Sequence, residues 1–138
     1  MDELSKARVL AGALMSSPIL LWVAGWVLTE GGTRPMLEPG SLSPSLAFVI
    51  WAAVALPAFA AALALRSRAE ALAKRPGRAL TYLLVAWALL EGSALLSGVF
   101  FVLLAIPRFI WTGALVFLLG MAFTFPRADW FPGATTGR

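Results

Sequence analysis

The 138-residue chain contains no cysteine and no histidine. Their absence excludes disulfides, thiol nucleophiles and imidazole bases, and it removes the commonest ligands of transition metals. Charged side chains are also scarce, at 13% of the sequence against about 25% in soluble domains. We therefore expect no catalytic residue, no metal site, no cofactor and no enzymatic activity.

Apolar residues make up 60% of the chain, and the mean hydropathy is +0.85. They form four long runs, which predict helices at about 9–29, 44–65, 79–105 and 109–125. Because about 20 helical residues cross a hydrocarbon core of about 30 Å, we expect an all-α membrane protein with four transmembrane helices. The short connections predict two antiparallel hairpins in a single domain over residues 1–138, with a disordered tail at 133–138.

The first run allows two interpretations. Lys6 and Arg8 precede it, as in a signal peptide, but its length and the tryptophans at its far end favour a retained helix. Four tryptophans fall toward the same predicted side of the membrane and predict an interfacial aromatic belt: Trp22, Trp26, Trp51 and Trp111.

Basic residues are distributed unevenly between the runs. With the N-terminus inside, nine of the eleven Lys and Arg residues lie on the inner side, and only Arg34 and Arg108 lie outside. This bias predicts that both termini are cytoplasmic. The middle loop holds five basic residues: Arg66, Arg68, Lys74, Arg75 and Arg78. They either only set the orientation in the membrane or also bind lipid headgroups. Since most basic residues flank apolar runs, nucleic-acid binding is not expected.

Glu91 is the only charged residue inside the predicted spans, and it lies near the midpoint of the third. Intramembrane acids are costly and normally face protein or a water-filled cavity. No basic residue is available at that depth, so we expect the neutral acid. Aligning the third run on the first at an offset of 75 residues places Ser16 level with Glu91, so Ser16 and Ser17 are its predicted hydrogen-bond partners.

Small residues recur at helical spacing in the second half of the chain. Ala88 and Gly92 are four apart beside Glu91, and Gly113 and Gly120 are seven apart in the fourth run. Such spacing is typical of helices that pack closely in a membrane. It predicts close helix contacts, with Glu91 turned toward protein.

The segment from Ala88 to Gly98, with its Ala-Leu-x-Glu pattern, resembles the ion-carrying helix of rotary ATP synthase c subunits. By that resemblance Glu91 would carry a proton. Those proteins have a glycine-repeat helix before the acid, whereas the first run here holds only Gly12 and Gly25. The second half of the chain is similar to small uncharacterised four-helix bacterial membrane proteins, through Ala88-Leu89-Leu90-Glu91-Gly92 and Phe125-Pro126-Arg127. By that resemblance the protein would lie in a bacterial cytoplasmic membrane.

Two functions follow from these observations. The favoured one is a non-enzymatic integral membrane protein, an accessory or structural subunit of a membrane complex or a small homo-oligomer. Its partners would be the lipid bilayer and other membrane proteins or further copies of itself, with Glu91 as a packing and hydrogen-bonding residue. The alternative is a proton-linked channel or transporter, whose polar path could use only Ser16, Ser17, Ser93, Ser97 and Thr112.

Overall fold

The structure, a computed structural model, describes residues 2–72, 75–127 and 130–131. Lys74 and the predicted tail at 133–138 lie outside the described residues. Within the described ranges the regular structure consists of four helices and no strand. They are α1 (Glu3–Leu28), α2 (Pro44–Ala71), α3 (Pro76–Leu104) and α4 (Arg108–Thr124). The all-α prediction is confirmed.

α1 and α2 each extend about six residues beyond their apolar runs at one end, and each extension has a local interaction along it. α1 begins six residues before its run because the Asp2 carboxylate accepts a hydrogen bond from the Ser5 backbone N–H at 2.6 Å. Such N-caps satisfy a donor that the first helical turn leaves free. α2 continues to Ala71, and Arg66 and Glu70 form an ion pair one turn apart along this extension, 2.9 Å between Nε and Oε1.

Three helices are long and apolar enough to cross a membrane, with spans at Leu4–Leu28, Pro44–Ala71 and Gly77–Leu104. α4 is apolar but shorter, at 17 residues. Large apolar side chains are exposed on all four helices, for example Leu20, Val49, Val85 and Leu115. Soluble monomers rarely expose so much apolar surface, whereas lipid accommodates it. The fold therefore fits a multi-pass membrane protein.

α3 is the central helix of the molecule. It packs against all three other helices, most extensively against α2, while α1 and α2 are not a closely packed pair within the described ranges. α1 and α3 run in the same direction, because Gly25 lies against Val102 and Leu21 lies against Gly98. Both pairs are 77 residues apart in sequence. The contacts thus join α1 to α3 and do not show the predicted hairpin of α1 with α2.

α4 runs antiparallel to α3 at close range. Gly113 lies against Ser97, and Gly120 lies against Leu90. A glycine has no Cβ, so at both positions the α4 backbone approaches the α3 side chains directly. The close helix contact predicted from the two glycines is confirmed.

α2 meets the rest of the protein through alanines. Its buried residues follow one helical stripe: Ala47, Trp51, Ala55, Ala58, Ala62 and Ala69. Small side chains allow helix backbones to approach closely, and dispersion contacts then hold the helices together in lipid. The alanine-rich composition of α2 thus explains its extensive contact with α3.

The tryptophans do not form one interfacial belt. Trp26 and Trp111 are exposed, but Trp22 and Trp51 are buried, with only 8% and 5% of their surface accessible. The belt prediction is wrong for these two because each lies on the stripe of its helix that faces the protein interior. Trp22 packs edge-on against Phe117 of α4, with 6.2 Å between ring centroids.

Gly113→Ala tests the close contact between α3 and α4. The new Cβ would lie 2.6 Å from the Ser97 Cβ, which cannot rotate away, so the two helices must separate. We expect the free energy of unfolding to fall by about 1–3 kcal/mol, measured as a lower Tm in detergent micelles. Gly12→Ala in α1 is the control, because its Cβ would meet nothing within 4 Å. Equal Tm values for the two variants would contradict the described packing.

Candidate functional site

One side of α3 is left uncovered by the other three helices. Its exposed residues are Val85, Ala88, Leu89, Gly92 and Val99. At 100° per residue these positions share one side of the helix, opposite the buried Leu83, Leu90 and Phe101. We call this surface the open face of α3.

A groove of about 440 Å³ follows the edge of the open face that borders α2. Its lining is Ala88, Leu89, Gly92 and Ser93 from α3, and Ala53, Val54, Pro57, Ala58 and Ala61 from α2. Most of these side chains are small, so the backbone of another helix could approach closely here. Pro57 also lacks an N–H, which deprives the Ala53 carbonyl of its usual helical donor.

Glu91 lies at the opposite edge of the open face, on the side of α3 toward α1. It shares that side with Gly98 and Val102, seven and eleven residues further along, and both of these contact α1. Its side chain is half-buried. Within the described ranges, the Glu91 carboxyl group has neither a hydrogen-bond nor an ion-pair partner.

The structure does not join Glu91 to its predicted serine partners. The Ser16 hydroxyl is exposed and donates to the Ala13 carbonyl of its own helix at 2.6 Å, and Ser17 is half-buried. In the observed offset of 77 residues, Leu14 rather than Ser16 is level with Glu91. The glycine contacts between α1 and α3 set this register, and repeated apolar letters in the sequence could not reveal it.

The other hydroxyls considered for a polar path also bond to their own helices. Ser93 donates to the Leu90 carbonyl at 2.8 Å, and Ser97 donates to the Ala94 carbonyl at 2.7 Å. Thr112 likewise donates to the carbonyl of the residue four before it, at 2.7 Å. The single O–H donor of each hydroxyl is therefore used within its own helix.

Two buried indoles hold α3 in its orientation. The Trp51 Nε1–H of α2 donates to the Ser93 carbonyl at 3.1 Å. The Trp87 Nε1–H donates to the Thr124 hydroxyl of α4, also at 3.1 Å. These bonds tie α3 to α2 on one side and to α4 on another. The Thr124 partner was not predicted, because nothing local in the sequence links residues 37 positions apart.

The basic residues predicted to contact headgroups have different surroundings. Arg66 pairs with Glu70, and its guanidinium carbon lies 5.7 Å from the centroid of the Trp130 ring. Arg127 lies over the same ring at 5.9 Å. The remaining described members are exposed: Arg68, Arg75 and Arg78. Arg66, Arg127 and Trp130 thus form a cluster that sequence spacing did not indicate.

Within the part of the chain that the structure describes, no group of three or more Asp, Glu, His or Cys side chains could hold a metal ion. Comparisons with protein-family models, with curated proteins and with solved structures find no match to this chain. The function of the protein is therefore inferred from its own geometry.

Trp87→Phe tests the bond that orients α3. The variant loses the hydrogen bond to Thr124 and leaves a gap at a fully buried site. We expect the free energy of unfolding to fall by about 1–3 kcal/mol, measured by thermal unfolding followed by circular dichroism. Trp111→Phe is the matched control, since Trp111 is 68% exposed. If Trp87→Phe were as stable as the control, the Trp87 bond would not contribute to the fold.

Proposed function

We propose that the protein is a non-enzymatic integral membrane protein that assembles with other membrane proteins through the open face of α3. It acts either as an accessory or structural subunit of a membrane complex or as a small homo-oligomer. One observation carries this proposal. Glu91 is a half-buried carboxyl group near the midpoint of an apolar helix, and it has no partner within the described ranges.

The cost of an unpartnered acid supports an external partner. Placing an acidic side chain at the centre of a membrane helix costs about 2.5–3.5 kcal/mol on insertion scales. A protonated carboxyl group can both donate and accept a hydrogen bond. Bonds of this kind between membrane helices contribute about 0.6–2 kcal/mol each. A neighbouring protein that bonds to Glu91 would therefore recover part of the cost.

The shape of the open face supports the same conclusion. In lipid, helices associate through close packing and interhelical hydrogen bonds, because the hydrophobic effect no longer drives them together. The groove beside the open face is built mainly from alanine, glycine and serine. The exposed surfaces of α1 and α4 instead carry larger side chains such as Leu20, Trp111 and Leu115. The open face also carries Val85, Leu89 and Val99, so it is the groove along its α2 edge, with its small side chains, that suits another helix.

The proposed membrane arrangement has four spans, in two hairpins, with both termini in the cytoplasm of a bacterial cell. The distribution of basic residues, nine inside and two outside, supports this orientation. α4 has 17 residues, about 25 Å of helix, at the lower limit for a spanning helix. Its contact with α3 along its length supports its place within the bilayer.

A proton-linked channel or transporter is the second proposal, because a half-exposed carboxyl group could exchange protons with a pathway outside this chain. A pathway within the chain has less support. The hydroxyls of Ser93, Ser97 and Thr112 donate to their own helices. The two proposals differ in whether Glu91 must change its protonation state.

Glu91→Gln and Glu91→Leu separate these proposals. Glutamine keeps a hydrogen-bond donor and acceptor, so assembly should be retained, whereas leucine should weaken it by about 3- to 30-fold. The measurement is energy transfer between labelled copies in lipid vesicles, together with recovery of native partners after mild detergent extraction. If Glu91→Gln abolished proton flux but retained assembly, this result would contradict the structural role of Glu91 and support a proton-linked channel or transporter.

Crosslinking tests the open face directly, because the chain has no cysteine of its own. Ala88→Cys places a label on the open face, and Ala122→Cys is the matched control on exposed α4. The control is level with Ala88, given the contacts of Ser97 with Gly113 and of Leu90 with Gly120. With benzophenone maleimide in native membranes, we expect an adduct from Ala88→Cys alone.

The mass of that adduct separates the two forms of assembly. Twice the mass of the chain indicates a homo-oligomer, and any other mass indicates a heterologous complex. Equal labelling from both positions, or no adduct from Ala88→Cys, would contradict association through the open face.

A further inference from the structure

α2 and α4 run side by side but end at different heights. The rings of Phe48 and Phe109 lie 6.1 Å apart near the start of the two helices. Near the end of α4, Leu63 and Phe123 line the same cavity. α4 ends at Thr124, while α2 continues to Ala71, about 12 Å beyond the level of Leu63 at 1.5 Å per residue. We call the resulting ledge the α2 step.

A cavity of about 400 Å³ occupies the α2 step, and its lining changes in polarity along α2. Leu63 and Phe123 form the end nearer the middle of the helices, and Arg66, Ser67 and Glu70 form the end beyond α4. Phe123 is exposed to the surroundings. An apolar wall that passes into a charged one matches a molecule with an apolar chain and a polar head.

Arg66 has N–H donors at this site that the described residues do not use. Its Nε–H donates to Glu70 Oε1 at 2.9 Å, which holds the planar guanidinium in one orientation. An arginine has five N–H donors, and the four on its terminal nitrogens make no hydrogen bond within the described ranges. Such a fork suits a phosphate group, which it can bind through two oxygens.

A second arginine, Arg127, contacts the same tryptophan ring as Arg66, although it does not line the cavity itself. The guanidinium groups of Arg66 and Arg127 lie 5.7 and 5.9 Å from the centroid of the same Trp130 ring. Trp130 is itself buried, with 3% of its surface accessible, so it provides a fixed support for both. With Glu70 counted, the three ionisable side chains carry one net positive charge, which equals the charge of one phosphodiester in magnitude.

We propose that the α2 step binds one anionic phospholipid. Its phosphodiester accepts hydrogen bonds from Arg66, the positive charge of Arg127 beside Trp130 attracts it, and one acyl chain lies against Leu63 and Phe123. The step lies where the apolar part of α2 gives way to charged residues, which is the depth at which headgroups occur. This site is on the α2 and α4 side of the molecule and does not depend on the open face of α3.

Native mass spectrometry of the full chain in detergent micelles, titrated with phosphatidylglycerol, tests this site. We expect one retained lipid per chain in the wild type and about 30-fold weaker retention in the double variant Arg66→Gln, Arg127→Gln. The control is Arg68→Gln, Arg78→Gln, which removes the same charge from exposed positions. It should leave retention within about twofold of the wild type.

Two further arms keep the test decisive. Millimolar inorganic phosphate should not displace the lipid, because free phosphate gains nothing from the apolar wall. Arg127→Gln alone, outside every helix, should still weaken retention if the double variant fails to fold. Any one of three results would overturn the proposal. They are equal loss of lipid in the double variant and the control pair, displacement of the lipid by free phosphate, and no retained lipid in the wild type.

Discussion

The packing of α3 against three helices at once requires small residues at each crossing, and the rest of the structure follows from this requirement. α2 supplies a stripe of alanines, and α4 supplies Gly113 and Gly120. α1 and α3 approach each other at Gly25 and Gly98. In lipid, close approach of this kind is the main source of helix association. With α3 held on three sides, only one of its faces can remain open.

That open face gives Glu91 its surroundings. The bonds from Trp51 to Ser93 and from Trp87 to Thr124 orient α3, so Glu91 lies at the edge of the uncovered surface rather than in the interior. It has no partner within the described ranges. A carboxyl group beside a small-residue groove suits association with another membrane helix. The α2 step arises separately, because α4 is too short to cover the end of α2.

Sequence patterns predicted some of these features and not others, for physical reasons. The four helices follow from long apolar runs, and the contact at Gly113 and Gly120 follows from helical spacing. The burial of Trp22 and Trp51, the register of α1 on α3, and the cluster of Arg66, Arg127 and Trp130 did not follow. Each of these features depends on contacts between segments that are distant in sequence. In addition, every side of these helices carries apolar residues, so hydropathy cannot distinguish a lipid-facing surface from a protein-facing one.

The most direct test of the central claim is the oxygen accessibility of a nitroxide at Gly92, measured by electron paramagnetic resonance in native nanodiscs. A Cβ at Gly92 meets nothing within 4 Å in the single chain, and the residue is exposed, so we expect a partner that covers the open face to lower the contact of this label with lipid. A nitroxide at exposed Ala122 of α4 provides the reference. We expect low oxygen accessibility at Gly92 and high accessibility at Ala122. Equally high accessibility at both positions would contradict association through the open face of α3.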